Sequence, residues 1–158
     1  MSTPAFSPRA LLARLVKGGV DFVVIGGVAV FLHGYERATK DLDITYARDP
    51  ANLEALAAVL AELEPRLRGA PEDMPFIADA RTLRQMEILK LVTNEGELDL
   101  LAAPSGSPPY ATLKKHSVLQ ETVDGIVYRA CSLDDLLAMK RAAGRLRDLA
   151  DIEELESE

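Results

Sequence analysis

Asp41 and Asp43 are separated by one leucine in the run Asp-Leu-Asp-Ile-Thr-Tyr, and a third acid, Asp99, lies in Glu-Leu-Asp-Leu-Leu. Polar and apolar residues alternate strictly over residues 41–46, as in a half-buried strand, so Asp41, Asp43 and Thr45 share one face. Two carboxylates held this close repel each other, and burial raises the proton affinity of at least one. A hard divalent cation that takes oxygen ligands is the natural compensation. With Asp99 on an adjacent strand, the three acids could complete a two-metal site. Phosphoryl chemistry needs such a site to neutralise a triphosphate, fix an attacking hydroxyl and stabilise departing pyrophosphate. The plainer alternative is a strand-opening Asp41, a solvated Asp43 and an Asp99 that merely follows a hairpin. A D-x-D pair alone does not choose between the two.

Gly26 and Gly27 add to the pattern. They stand between an apolar, β-branched run at residues 20–25, suited to a buried strand, and an apolar segment at 28–33 that closes on Gly34 and reads as a short buried helix. Glycines between a strand and a helix let the backbone approach a phosphate, and the free N–H groups of the helix start favour an anion. Tight turns need glycine as well, so the combination with the aspartates carries the weight.

A second group lies near the C-terminus. Ser132 opens a helix with Asp135 in the capping-box position, and Leu133, Leu136, Leu137 and Lys140 then follow helical spacing, which puts Lys140 on the apolar stripe. In a last helix over residues 148–155, Asp148 shares a face with Leu149, Ile152 and Leu155, and the lysine and aspartate are placed to meet. One reading is a snorkelling lysine and an aspartate favoured by the helix dipole. The other makes Lys140 a phosphate or leaving-group contact oriented by Asp148.

The elements that must position these residues are those of an α/β (α+β) chain. A helix follows Ser7-Pro8 and stops at Gly18-Gly19; an amphipathic helix begins at Asp49-Pro50 and ends at Pro65. Residues 65–76 read as a surface excursion, and 77–84 give no clear signal. Hairpins are expected at 87–102, turning at Asn94-Glu95-Gly96, and at 118–130, turning at Asp124-Gly125, with a Ser/Gly/Pro loop at 104–109 between them. The 158 residues, 48% hydrophobic, suit a single domain over 1–158, with a core at about 18–103 and a C-terminal hairpin and helices at about 104–158.

A net charge of −7 argues against a broadly basic nucleic-acid-binding surface, so any RNA contact must be local. Lys114, Lys115 and His116 could form such a contact or a solvated loop, and His33 reads as a packed or capping histidine rather than a ligand. One cysteine, Cys131, excludes an internal disulfide and a cysteine metal cluster. No run reaches membrane-span length and no leader is apparent, so the expectation is a cytoplasmic protein without a membrane partner.

Val-Val-Ile-Gly-Gly, thirteen residues, then Asp-Leu-Asp-Ile resembles the signature of the nucleotidyltransferase superfamily, typified by DNA polymerase beta and the CCA-adding enzymes. The resemblance implies a minimal nucleotidyltransferase fold: a small mixed sheet with flanking helices and a C-terminal helical pair. It implies that Gly26 and Gly27 hold the triphosphate of an NTP and that Asp41, Asp43 and Asp99 bind Mg2+ (or Mn2+). Asp99 would also help deprotonate an acceptor hydroxyl. Many members carry Gly-Ser where this chain has Gly-Gly, so a serine contact to phosphate would pass here to backbone or another side chain.

Met139-Lys140, Arg147-Asp148-Leu-Ala-Asp151-Ile, and Arg37 with Thr39-Lys40 resemble the bacterial AbiEii-type toxin–antitoxin proteins, although this chain is shorter than is typical of them. That likeness implies transfer of NMP from NTP to a hydroxyl on an RNA 3′ end (tRNA included) or a protein side chain, and a cognate antitoxin as partner. Arg37 and Lys40 either steer the triphosphate or solubilise a loop. The rival from another class is a non-catalytic nucleotide-binding or partner-binding module on the same fold, against which the presence of all three acids argues.

Overall fold

In the computed structural model, which describes residues 8–35, 39–74 and 76–157, the first apolar stripe forms α1 (Pro8–Lys17) and buries Leu11, Leu12 and Leu15. The following β-branched run is β1 (Phe22–Ile25), buried throughout. The short helix α2 (Gly26–Leu32) begins at the glycine pair itself rather than after it. β2 (Asp41–Tyr46) realises the strict alternation, and α3 (Pro50–Glu62) starts where Asp49 accepts a hydrogen bond from the Asn52 N–H.

Three stretches differ from the sequence reading. The 65–76 excursion contains a two-residue strand, β3 (Arg66–Leu67), and residues 77–84 hold most of α4 (Ala80–Gln85), capped by Asp79. After the hairpin β4 (Ile88–Thr93) and β5 (Gly96–Leu101) comes a helix that the sequence reading lacks, α5 (Tyr110–His116). Lys114, Lys115 and His116 form its last turn rather than a solvated loop: Lys114 pairs with Asp21 at 3.0 Å and His116 Nδ1 with Asp135 at 2.9 Å. The second hairpin, β6 (Val118–Glu121) and β7 (Val127–Ala130), leads to the helical pair α6 (Leu133–Ala143) and α7 (Leu146–Glu156). On α7 the buried residues are Asp148, Asp151 and Leu155. Leu149, expected on that face, points out, because the helix begins two residues earlier and carries two acids inward.

The strands form one mixed sheet in the order β3-β4-β5-β2-β1-β7-β6. β1 and β2 are antiparallel, with Ile25 opposite Asp43, and β2 and β5 are parallel, with Asp43 opposite Asp99. Side-chain alternation then sorts the two faces. Leu42, Ile44, Leu98 and Leu100 pack with α1, α3 and α4 in one core cluster, while Val23 and Ile25 pack with Ala29, Leu113, Leu136 and Leu155 in the other. Asp41, Asp43 and Asp99 have the opposite parity to the leucines beside them, so they emerge on the face that α2 and α6 cover. Beyond β5 that face is open: Ile88 on β4 is 56% exposed.

Buried Asn52 ties this arrangement together at one end. Its Nδ2 donates to the Asp21 carbonyl at 3.0 Å and the Ala47 carbonyl at 2.7 Å, while its Oδ1 accepts from the Asp21 N–H at 2.7 Å. One side chain thereby clamps the entry to β1 against the exit from β2. Asn52→Ala leaves the Asp21 N–H and the Ala47 carbonyl without this partner, and a loss of about 2–3 kcal/mol is expected in denaturant unfolding. A loss below about 0.5 kcal/mol, the usual size for an unimportant surface change, would contradict this.

Candidate active site

Register brings the three aspartates together. Asp41 and Asp43 are neighbours on one face of β2, Asp99 is in register with Asp43 on β5, and one carboxylate oxygen from each lies within 4.8 Å of the others. Thr39 donates to Asp41 Oδ1 at 3.3 Å and fixes that carboxylate. Burial, reinforced by the charges of Asp41 and Asp99, pushes Asp43 up to about 8. Burial also raises Asp99, against the opposing pull of Arg68. Three crowded carboxylates offering only oxygen donors fit a hard divalent cation, which would replace the shared protons.

Gly26 answers to Asp43. It sits at φ +70°, and a Cβ there would lie 2.0 Å from Asp43 Oδ2, so the strand-to-helix turn must be bare for the aspartate to occupy its place. Gly27, by contrast, lines the cleft that opens beside the acids. This cleft has a volume of about 310 Å³ and is bounded by Gly27, Thr39, Lys40, Asp41, Asp43, Lys140, Arg145 and Arg147. Asp41 and Asp43 come to the cleft from β2, while Lys140 comes from α6 and Arg145 and Arg147 from the start of α7, an arrangement suited to a polyanion that carries a metal.

Lys140 is brought to the cleft by the apolar stripe of α6 and is held from behind by α7. Its Nζ lies 3.2 Å from Asp148 Oδ1 and 3.0 Å from Asp151 Oδ2, and all three side chains are buried. Asp148 also accepts from the Arg145 side chain at 2.6 Å and from the Arg145 N–H at 3.2 Å. Burial works against its ionisation, but the hydrogen bonds from Arg145 and Lys140 win and hold it below the ordinary carboxylate range. A buried lysine paired with two carboxylates in this way is fixed in direction.

Of the predicted residues, Gly27, Lys40, Asp41, Asp43 and Lys140 line the cleft, Asp99 and Gly26 adjoin Asp43, and Asp148 pairs with Lys140; Arg37 lies outside the described residues. Sequence reasoning missed Arg145 and Asp151 as partners of the lysine pair, although both are adjacent to or within the quoted C-terminal motif. It also missed Arg68, which hydrogen-bonds Asp99 Oδ1 from the segment read as a featureless excursion. His33 is a packing residue, with Nε2 2.9 Å from the Cys131 carbonyl oxygen. Burial pushes the Cys131 thiol up to about 12, which leaves it unreactive at neutral pH.

A family model described as nucleotidyl transferase AbiEii toxin, Type IV TA system, matches residues 9–157. No curated protein sequence matches the chain. Several solved structures share the fold. A lincosamide antibiotic adenylyltransferase, LnuA, solved with lincomycin bound, is 17% identical, with 97% of this chain and 98% of that one covered and a TM-score of 0.56. A nucleotidyltransferase-like antigen from Paracoccidioides brasiliensis is 15% identical, with 92% and 72% covered and a TM-score of 0.60. The antibiotic-resistance factor ANT(2'')-Ia is 15% identical, with 93% and 79% covered and a TM-score of 0.56.

Two outcomes follow from the crowding of the acids. Because the folded pKa of Asp43 lies near 8 and the unfolded value near 3.9, the metal-free native state holds more protons across that window. Stability therefore falls as pH rises from about 4 to about 8. Melting of the metal-free protein should show this fall, added Mn2+ should raise the melting temperature more at pH 8 than at pH 5.5, and Asp43→Asn should flatten the profile. A rising or flat wild-type profile is the contrary result. Gly26→Ala is expected to cost about 1–2 kcal/mol from backbone strain alone and, by displacing Asp43, to weaken Mn2+ binding in isothermal titration. Unchanged Mn2+ affinity would contradict the assigned role of Gly26.

Proposed function

The chain belongs to the AbiEii nucleotidyl transferase family, and from that premise we propose that it transfers a nucleoside monophosphate from an NTP to an acceptor hydroxyl at the Asp41–Asp43–Asp99 site. The observation that carries this reading is the meeting of three carboxylates with a buried, doubly paired lysine across one cleft. Mg2+ or Mn2+, bound by Asp41, Asp43 and Asp99, would neutralise the triphosphate and polarise the phosphorus under attack.

The remaining roles belong to the chain itself. Gly27 lets the phosphates approach the backbone, and Lys40, Arg145 and Arg147 line the cleft as counter-charges. In the reaction the acceptor oxygen bonds to the α-phosphorus while the bond from that phosphorus to the bridging oxygen breaks, and pyrophosphate departs. Lys140, aimed by Asp148 and Asp151, stabilises the negative charge that grows on the leaving group. Asp99, in register with Asp43 on β5, takes the hydroxyl proton.

The acceptor class assigned here is an RNA 3′ end, tRNA included, or a protein hydroxyl, and the biological role is that of a toxin restrained by a cognate antitoxin. Membership of a family described as a Type IV toxin–antitoxin nucleotidyl transferase supports that role. No helix of the described residues is long and apolar enough to cross a membrane.

Incubation with each labelled NTP, Mg2+ and cell extract tests the reading. Label should move to RNA or protein with the wild type, fall at least about 100-fold with Lys140→Ala, and vanish with Asp43→Asn. Expression of the wild type, but not of Asp43→Asn, should arrest growth. Nucleotide binding without transfer in any extract would instead favour a non-catalytic binding module.

A further inference from the structure

Arg68 follows β3, where its N–H bonds the Lys90 carbonyl at 2.9 Å, and its side chain reaches across β4 to β5. There it hydrogen-bonds Asp99 Oδ1, while its Nε stands 3.6 Å from Glu97 Oε1. Glu97 and Asp99 are two residues apart on β5 and so share the face that carries the acids. Among the described residues, the buried side-chain polar atoms without a hydrogen-bond partner are Arg68 Nε and Glu97 Oε2. Buried polar groups are rarely left so, and these two belong to adjacent, oppositely charged side chains.

We propose that Arg68 is a resident counter-cation of the acidic site, which a divalent ion displaces from Asp99 onto Glu97. The inference rests on the reading that Asp41, Asp43 and Asp99 hold such an ion. With no metal present, Asp99 is a buried acid facing two others, and the guanidinium supplies the positive charge that keeps it in place. A metal ion that takes a ligand from the same carboxylate meets both competition for its negative charge and repulsion from Arg68. Glu97 is positioned to take the displaced guanidinium: it already flanks Arg68, and the unpaired Nε and Oε2 would find each other in a two-bond contact. Arg68 thereby acts as a positioning residue that sets how readily Asp99 receives a metal, and Glu97 is its alternative seat.

Mn2+ binding, read by the electron paramagnetic resonance signal of free Mn2+, separates the possibilities. Arg68→Gln should bind Mn2+ more tightly than wild type by about threefold to thirtyfold, since a competing charge is removed. Arg68→Lys keeps a competing charge and should bind Mn2+ less tightly than Arg68→Gln does. Glu97→Gln should weaken binding, and that weakening should disappear when Arg68→Gln is also present, a coupling that a purely structural role would not produce. Weaker or unchanged binding in a folded Arg68→Gln variant overturns the proposal, as does a Glu97→Gln effect that persists without Arg68. If Arg68→Gln fails to fold, the Glu97→Gln arm decides: normal Mn2+ affinity there overturns the proposal. Failure of the wild type itself to bind Mn2+, with Asp43→Asn indistinguishable from it, overturns the cation site and the proposal with it.

Discussion

Like-charge crowding on the acidic face is the constraint around which the rest of the molecule is arranged. Parallel pairing of β2 with β5 sets Asp43 against Asp99, and period-two alternation adds Asp41. The result is a cluster whose middle member is pushed up to about 8 by burial and by its neighbours. A protein has little reason to tolerate that cost for stability alone. The surrounding features each lessen it or put it to use: Gly26 leaves room for Asp43, Thr39 holds Asp41, Arg68 covers Asp99, and cations line the cleft beside the acids.

The helical pair serves the same end from the other side. Lys140 reaches the cleft only because Leu136 and Leu137 seat α6 on the face that bears the acids. A buried ammonium there needs compensation, and α7 provides Asp148 and Asp151, with Arg145 closing the network from the helix start. This network explains why the segment beyond the central strands is integral to the site. Without α7, Lys140 would be an unpaired charge in an apolar setting with nothing to hold its direction.

The central site was legible in the sequence because its signals are local. Strict alternation placed Asp41 and Asp43 on one face, the glycine pair marked the strand-to-helix turn, and an off-pattern lysine in an apolar stripe pointed to Lys140. What escaped notice depends on contacts between distant segments or on elements too short to show a period. α5 buries only Leu113 and follows a Ser/Gly/Pro loop, so no helical pattern emerges from its seven residues. β3 has two residues, and nothing in its Pro-rich, charged surroundings announces that Arg68 will cross β4 to reach Asp99. The face of α7 was misjudged because apolar periodicity favours Leu149, whereas the helix buries two aspartates whose partner lies on another helix.

The most direct measurement is the anomalous diffraction signal of Mn2+ in crystals grown with Mn2+ and a non-hydrolysable NTP analogue. The account requires a peak at coordination distance, about 2.1–2.2 Å, from carboxylate oxygens of both Asp41 and Asp43, with the triphosphate running between Gly27 and Lys140. A Mn2+ peak away from these carboxylates, or a triphosphate bound with the acids still protonated and metal-free, would contradict it.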